Sequence, residues 1–160
     1  MNQSIISTFL LFVLIAPIFG QMFYPKHKMT KKYFIITLKT VTWHEAFYHC
    51  RSIDMNLVSI SSKAENDQIK QQIIDEGHIE FGQFWTSGTK LPDNSYKWLG
   101  IGKRVGFSDW FSGKPDNFNE NDVNCIQILE KGKGWNNAPC NLKQHIICEQ
   151  ELIEYEYCNH

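Results

Sequence analysis

Apolar positions follow three rhythms along the chain. From Ile5 to Phe19 they run almost unbroken. Tyr33-Phe34-Ile35-Ile36-Thr37-Leu38 is β-branched and aromatic, and reads as a first strand. At Trp43 the spacing turns helical: Trp43, Ala46, Phe47 and Cys50 recur on one face, which carries Cys50 inward. Thr42, with Glu45 three residues on, makes a capping box at the start of that helix. Ser62 and Glu65 repeat the device. Ile69 and Ile73 then form the buried stripe of a second helix, and Gly77 stops it.

After Gly82 the pattern changes to short strands and turns. Phe84–Gly88 is strand-like, and Tyr96–Leu99 alternates after the turn residues Pro92-Asp93-Asn94. Cys125–Leu129 and His145–Cys148 complete the set. Between Leu99 and Asn124 only a few apolar residues interrupt a long loop, and such loops in compact domains are functional or mobile. Two helices ahead of several short antiparallel strands make an α+β fold. Its long loop lies on one face, where binding residues commonly sit.

A chain of 160 residues holds one domain with one core. The net charge of −1 excludes the broad basic field of a nucleic-acid binder. The short cluster Lys26, Lys28, Lys31 and Lys32 reads as a solvated arm ahead of the domain. The apolar run at Ile5–Phe19 is short for a membrane span and is followed by the small residue Gly20. Residues Met1–Gly20 therefore read as a signal peptide, although no Lys or Arg precedes the apolar core; an uncleaved anchor is the alternative. No later stretch is long enough to span a bilayer, so the expected product is secreted into an oxidising environment. No Asn-X-Ser/Thr acceptor follows Gly20.

Enzyme motifs are absent from the sequence. His44-Glu45 begins like a zinc-protease motif, but the next histidine is His49, and the motif needs both on one helix face. There is no Gly-x-Ser-x-Gly and no phosphate loop. His44 and His49 read as ordinary helix residues, and the chain as a non-enzyme. The five cysteines, Cys50, Cys125, Cys140, Cys148 and Cys158, suit disulfides better than metal ligands in a secreted chain. Spacing alone leaves their connectivity open.

The candidate chemistry lies between Trp110 and Cys148. Asp116, Glu120 and Asp122 form one cluster of short oxygen-bearing side chains, and Asn136 and Asn137 form another. Hard cations take such oxygens from flexible loops, calcium roughly 6–8 of them. Lys114-Pro115-Asp116 and Trp135-Asn136-Asn137, set among these cysteines, resemble the ligand-binding half of a C-type lectin domain, of the short-form, secreted, single-domain, insect-like type. The resemblance covers about Tyr33 to Glu149. It implies a signal peptide at 1–20, an arm at 21–32, the domain at 33–149 and a tail at 150–160. The fold implied is two helices packed on short antiparallel sheets with a long ligand-binding loop. The implied disulfides are Cys50–Cys148 and Cys125–Cys140. Cys158 is left over, and a free tail thiol and an intermolecular bond that makes a dimer are both open.

The same resemblance implies a site. Asp116 matches the second ligand of the Pro motif, and its pairing with Pro115 is of the galactose type. Lys114 stands where the family has Glu or Gln; an ammonium has only donors and cannot ligate a cation. Its flexible stem is expected to swing into water. The next ligand position is Val123, unless a bulge recruits Asp122 or Glu120. Asn136 matches the family's Asn, and Asn137 replaces its Asp with loss of one charge. By the resemblance, Asp116 and Asn136 contact both ion and sugar. The expected carbohydrate contacts are thus Lys114, Asp116, Asp122, Asn136 and Asn137, and the expected Ca2+ ligands Asp116, Asp122, Asn136 and Asn137. Ca2+ binding is expected to be weak or lost. Trp110 and Trp135 brace the loop, while Phe118 either anchors it or stacks on a sugar. Glycans or glycoproteins are the expected partners. The alternative is a calcium-independent protein-binding module on the same fold, linked through Cys158.

Overall fold

The computed structural model describes residues 27–78, 80, 82–116 and 124–155, without the side chain of residue 27. Helix α1 (Trp43–Ser52) starts in a complete capping box. Glu45 N–H donates to the Thr42 hydroxyl at 3.4 Å, and Thr42 N–H donates to the Glu45 carboxylate at 2.8 Å. Helix α2 (Lys63–Asp75) starts on Ser62, whose hydroxyl accepts from Glu65 N–H at 3.2 Å. Here the box is offset by one residue. The Glu65 carboxylate takes the N–H of Ser61 at 2.7 Å, because its other oxygen faces Lys31 at 3.4 Å. Gly77, with φ +72°, supplies the left-handed turn that ends α2, as the sequence predicts.

The strands are β1 (His27–Val41), β2 (Asn56–Leu57), β3 (Phe84–Lys90), β4 (Tyr96–Trp98), β5 (Lys103–Arg104), β6 (Asn124–Ile128), β7 (Trp135–Pro139) and β8 (Gln144–Tyr155). They form one sheet in the order β1-β8-β3-β4-β5, with β2 on β8 and β6 joining β3 to β7. The fold is α+β, as expected, but the sheet is mixed. β8 returns from the far end of the chain and lies parallel to β3, with Phe84 opposite His145 and Trp85 opposite Ile146. Contacts group Lys31–Leu152 into one unit and the outer ends of β1 and β8 into a second. Within the second, the Thr30 hydroxyl donates to Glu154 at 3.4 Å.

Each face of the sheet carries a buried core. Alternation along β3 sends Phe84 to one face and Trp85 to the other. On the first, Ile69 and Ile73 of α2 pack with Val58, Ile60, Trp98, Ile126, Ile128, Trp135 and Ile147. On the second, Trp43, Ala46 and Cys50 of α1 pack with Leu57, Cys125, Ala138, Cys140 and Ile146. Cys50–Cys148 and Cys125–Cys140 are both formed, closing separations of 98 and 15 residues. Indole N–H groups pin this second core: Trp43 donates to Thr86 O at 2.7 Å and Trp85 to Val41 O at 2.9 Å.

Lys31 departs from the expected solvated arm. It lies within β1, and its ammonium donates to Ser59 O at 3.0 Å and stands 3.0 Å from Glu149, a fully buried carboxylate. The contact to Glu149 is an ion pair without hydrogen-bond alignment. A buried carboxylate requires such a counter-charge, so β1 begins ahead of residue 33. Likewise β8 runs to Tyr155, into the stretch counted as tail. The proposed signal peptide and Cys158 fall outside the described residues.

Candidate binding site in the long loop

Trp135 is the point on which the loop is hung. Gly134 before it has φ +125°, and a Cβ there would stand 2.9 Å from Asp109 O, so the chain passes only as glycine. Trp135 N–H donates to Asp109 O at 2.7 Å and Phe111 N–H donates to Trp135 O at 2.8 Å. The Trp135 ring meets Trp98, Phe107 and Trp110 edge to face, with centroids 5.4, 5.6 and 5.9 Å away. Its indole N–H donates to Asn66 Oδ1 at 3.0 Å, and the Asn66 amide donates to Asp109 at 2.9 Å. Lys70, one turn along α2, donates to the same Asp109 oxygen at 2.5 Å. Helix α2 thus holds both ends of the Asp109–Trp135 tie. Trp110 and Trp135 do brace the loop, but Asn66, Lys70 and Asp109 were not legible as loop anchors. Asn66 lies on a polar helix stretch, and its partner is 69 residues away.

Above this base the loop presents Lys114-Pro115-Asp116, with a cis Lys114–Pro115 peptide. The Lys114 ammonium donates to the Asp116 carboxylate rather than extending into water. That corrects the expectation for Lys114: its neighbour's carboxylate is within reach of the folded-back side chain. The hydrogen bond from Lys114 holds the Asp116 carboxyl below the usual carboxylate range. Asn137 docks the backbone of the same residue twice. Asp116 N–H donates to Asn137 Oδ1 at 3.2 Å, and Asn137 Nδ2 donates to Asp116 O at 2.7 Å. Tyr96 closes the inner side, its ring 5.2 Å from Trp110. Its hydroxyl lies near the Asn137 amide without hydrogen-bond geometry, and burial, more than the charge of Asp116, pushes its pKa up.

Asn136 is placed elsewhere. β7 pairs in unbroken register with β6, Asn136 opposite Gln127 and Asn137 opposite Ile126. Side chains alternate across a strand, so Asn137 shares the face of Trp135 while Asn136 shares that of Gln127 and Trp85. Its Oδ1 is buried without a hydrogen-bond partner. The structure therefore brings Lys114, Asp116 and Asn137 together and leaves Asn136 on the opposite face. Asp122, with Glu120, Val123 and Phe118, lies outside the described residues. Among the described residues no three of His, Cys, Asp and Glu converge. No helix among them is long and apolar enough to cross a membrane.

Residues 39–150 match the model of the lectin C-type domain family. The C-type lectin mosGCTL-7 of Aedes aegypti is 28% identical over 75% of this chain and 83% of its own length. Among solved structures, the mouse scavenger receptor C-type lectin carbohydrate-recognition domain is similar at TM-score 0.65 and 26% identity, over 82% of this chain and 98% of its own. The structure titled as a complex of SPL-1 with GlcNAc is similar at TM-score 0.62 and 25% identity, over 75% and 87%. The tryptophan-braced loop, the two disulfides and the family match lead to one conclusion: this chain belongs to the C-type lectin family.

Proposed function

We propose that the chain is a secreted carbohydrate-binding lectin whose galactose-type motif works with a degraded calcium site. The observation that carries this is the Lys114–Asp116 pair docked on Asn137. Of the described donors, Asp116 is held by an ammonium, both ends of the Asn137 amide are engaged by backbone, and Asn136 is on the other face. As arranged, these groups do not form a calcium shell, which needs roughly 6–8 free oxygens. They do form a donor beside an acceptor. A vicinal diol can donate one hydroxyl to the Asp116 carboxylate and accept from the Lys114 ammonium, using charge-assisted hydrogen bonds. Phe111, whose carbonyl accepts from Lys114 N–H at 2.9 Å, is an exposed aromatic residue in the same turn. Relatives named for carbohydrate recognition and for a GlcNAc complex support a sugar ligand. Disulfides and the N-terminal apolar run support secretion.

Retention on immobilised galactose, with calcium and with chelator, tests this reading. Wild type is expected to be retarded almost equally in both buffers, and Asp116→Ala to elute in the void. Retention that disappears with chelator would overturn the degraded-site reading, because an intact calcium site would then be required. No retention on any sugar resin would favour the second reading, a protein-binding module, to which the internally satisfied Lys114–Asp116 pair also lends itself.

A further inference from the structure

We infer that the β4–β5 hairpin is a second docking surface, one that takes an anionic polysaccharide, and this stands independently of the reading of the Asp116 site. Strands β4 and β5 pair antiparallel with Lys97 directly opposite Arg104 and Trp98 opposite Lys103. On the other side of β4, Lys97 lies opposite Thr89 and Tyr96 opposite Lys90. Trp98 is buried in the first core, so pleat alternation turns Lys97 and its partner Arg104 outward from it. The row Thr89, Lys97, Arg104 thus presents two cations side by side, while the same alternation puts Lys90 and Lys103 on the other face of the hairpin.

Like charges directly opposite on neighbouring strands are destabilising, so this pairing calls for an anion. Among the described residues the protein supplies little of one. Arg104 reaches Asp93 at 3.2 Å, an exposed and therefore weak pair. Among the described residues Lys90, Lys97 and Lys103 make no ion pair and no side-chain hydrogen bond. Between Lys90 and Arg104 the chain carries four cationic residues and one acid, a local +3, while the whole chain carries −1. The remainder is therefore net −4, and the hairpin is a basic island on an acidic molecule. Edge strands often carry Lys to block sheet-to-sheet pairing. That accounts for Lys103 on β5, the edge, but not for Lys97 on interior strand β4. Two adjacent cations on one face of a hairpin whose other face carries Lys90 and Lys103 suit a linear chain of sulfate or carboxylate groups, attracted without demand for one sugar geometry.

Heparin binding followed against salt, with Lys97→Gln/Arg104→Gln, is the test. Wild type is expected to bind, with affinity falling steeply as salt rises. The double variant should bind at least about tenfold more weakly, the loss of one charge-assisted contact or more, while its retention on galactose resin stays unchanged. Asp116→Ala should leave heparin binding intact. Because the substitution removes a like-charge pair, the variant's Tm at low salt should equal or exceed that of wild type, which separates lost binding from lost folding. Three results would each overturn the inference: no heparin binding by wild type, equal binding by the double variant, or binding to phosphatidylserine vesicles without binding to heparin.

Discussion

Lys114 sets the character of the loop. Where the family has an oxygen donor, this chain has an ammonium that supplies the positive charge itself, already bound to Asp116. Asp116 is depressed in the folded state, so this contact contributes above the ordinary carboxylate range and is lost as pH falls through the lowered value. In Lys114→Gln the Asp116 carboxyl should titrate at higher pH than in wild type, back toward the ordinary range, as followed by carboxyl NMR; an unmoved titration would show that the pair does not persist in solution.

Asn137 presents a second choice at the same scale. As an amide it donates to Asp116 O and accepts from Asp116 N–H. An aspartate there keeps the acceptor but sets a carboxylate against a carbonyl. Asn137→Asp alone is expected to lower stability by about 1–3 kcal/mol without calcium, the usual penalty for an unsatisfied buried group. Combined with Lys114→Gln it should bind calcium more tightly than wild type in titration calorimetry, since an ammonium is gone and a charge is added. Wild type binding as tightly as the double variant would refute the argument from Lys114.

Among elements, α2 works harder than its composition suggests. One face feeds Ile69 and Ile73 to the core, and its flank sends Asn66 and Lys70 to the loop. Asn66→Ala leaves the Trp135 N–H and one Asp109 contact unmade. Urea melts should show a loss of about 1–3 kcal/mol, accompanied by weaker galactose retention, because the loop loses its tie. Retention unchanged at lowered stability would mean that the loop is held by Trp135 packing alone.

The tie between β1, α2 and β8 at Lys31 depends on pH. Burial raises the Glu149 pKa, and Lys31 opposes that shift. The cost of ionising Glu149 is thus fully present above its raised folded pKa and is relieved as pH falls through it toward the unfolded value. Lys31→Met should lose about 3 kcal/mol at pH 7, the penalty for stripping a buried charge of its partner. Its deficit against wild type should narrow under acid conditions, where Glu149 takes a proton. A deficit constant across pH in thermal melts would count against this pairing.

For the whole molecule the long-range staple is Cys50–Cys148, joining α1 to β8 across most of the domain. Cys148→Ser should lower stability by about 2–5 kcal/mol in denaturant melts. Cys158→Ser, removing a residue beyond the last strand, should leave the melt unchanged. Equal losses would place Cys158 in the folded framework instead.

What the chain determines alone is local. Thr42 and Glu45 meet within one helical turn, Ser62 meets Glu65 likewise, and Gly77 takes the left-handed turn at the end of α2, so both helices were legible from spacing and side-chain type. Strands β3, β4, β6 and the start of β8 were legible because they concentrate β-branched and aromatic residues. Strand β7 was not: Trp-Asn-Asn-Ala-Pro has little strand character and is held by its ladder to β6. Within the site, the motif brought Asp116 and Asn137 to notice, but tertiary structure decided their use. Pairing of β7 with β6 sends Asn136 to the far face, and packing places Lys114 on Asp116. Asn66 reaches Asp109 across 43 residues and Trp135 across 69. No propensity or short motif encodes such separations; they arise only when helix and loop close over the same core, where a buried indole N–H must find an acceptor.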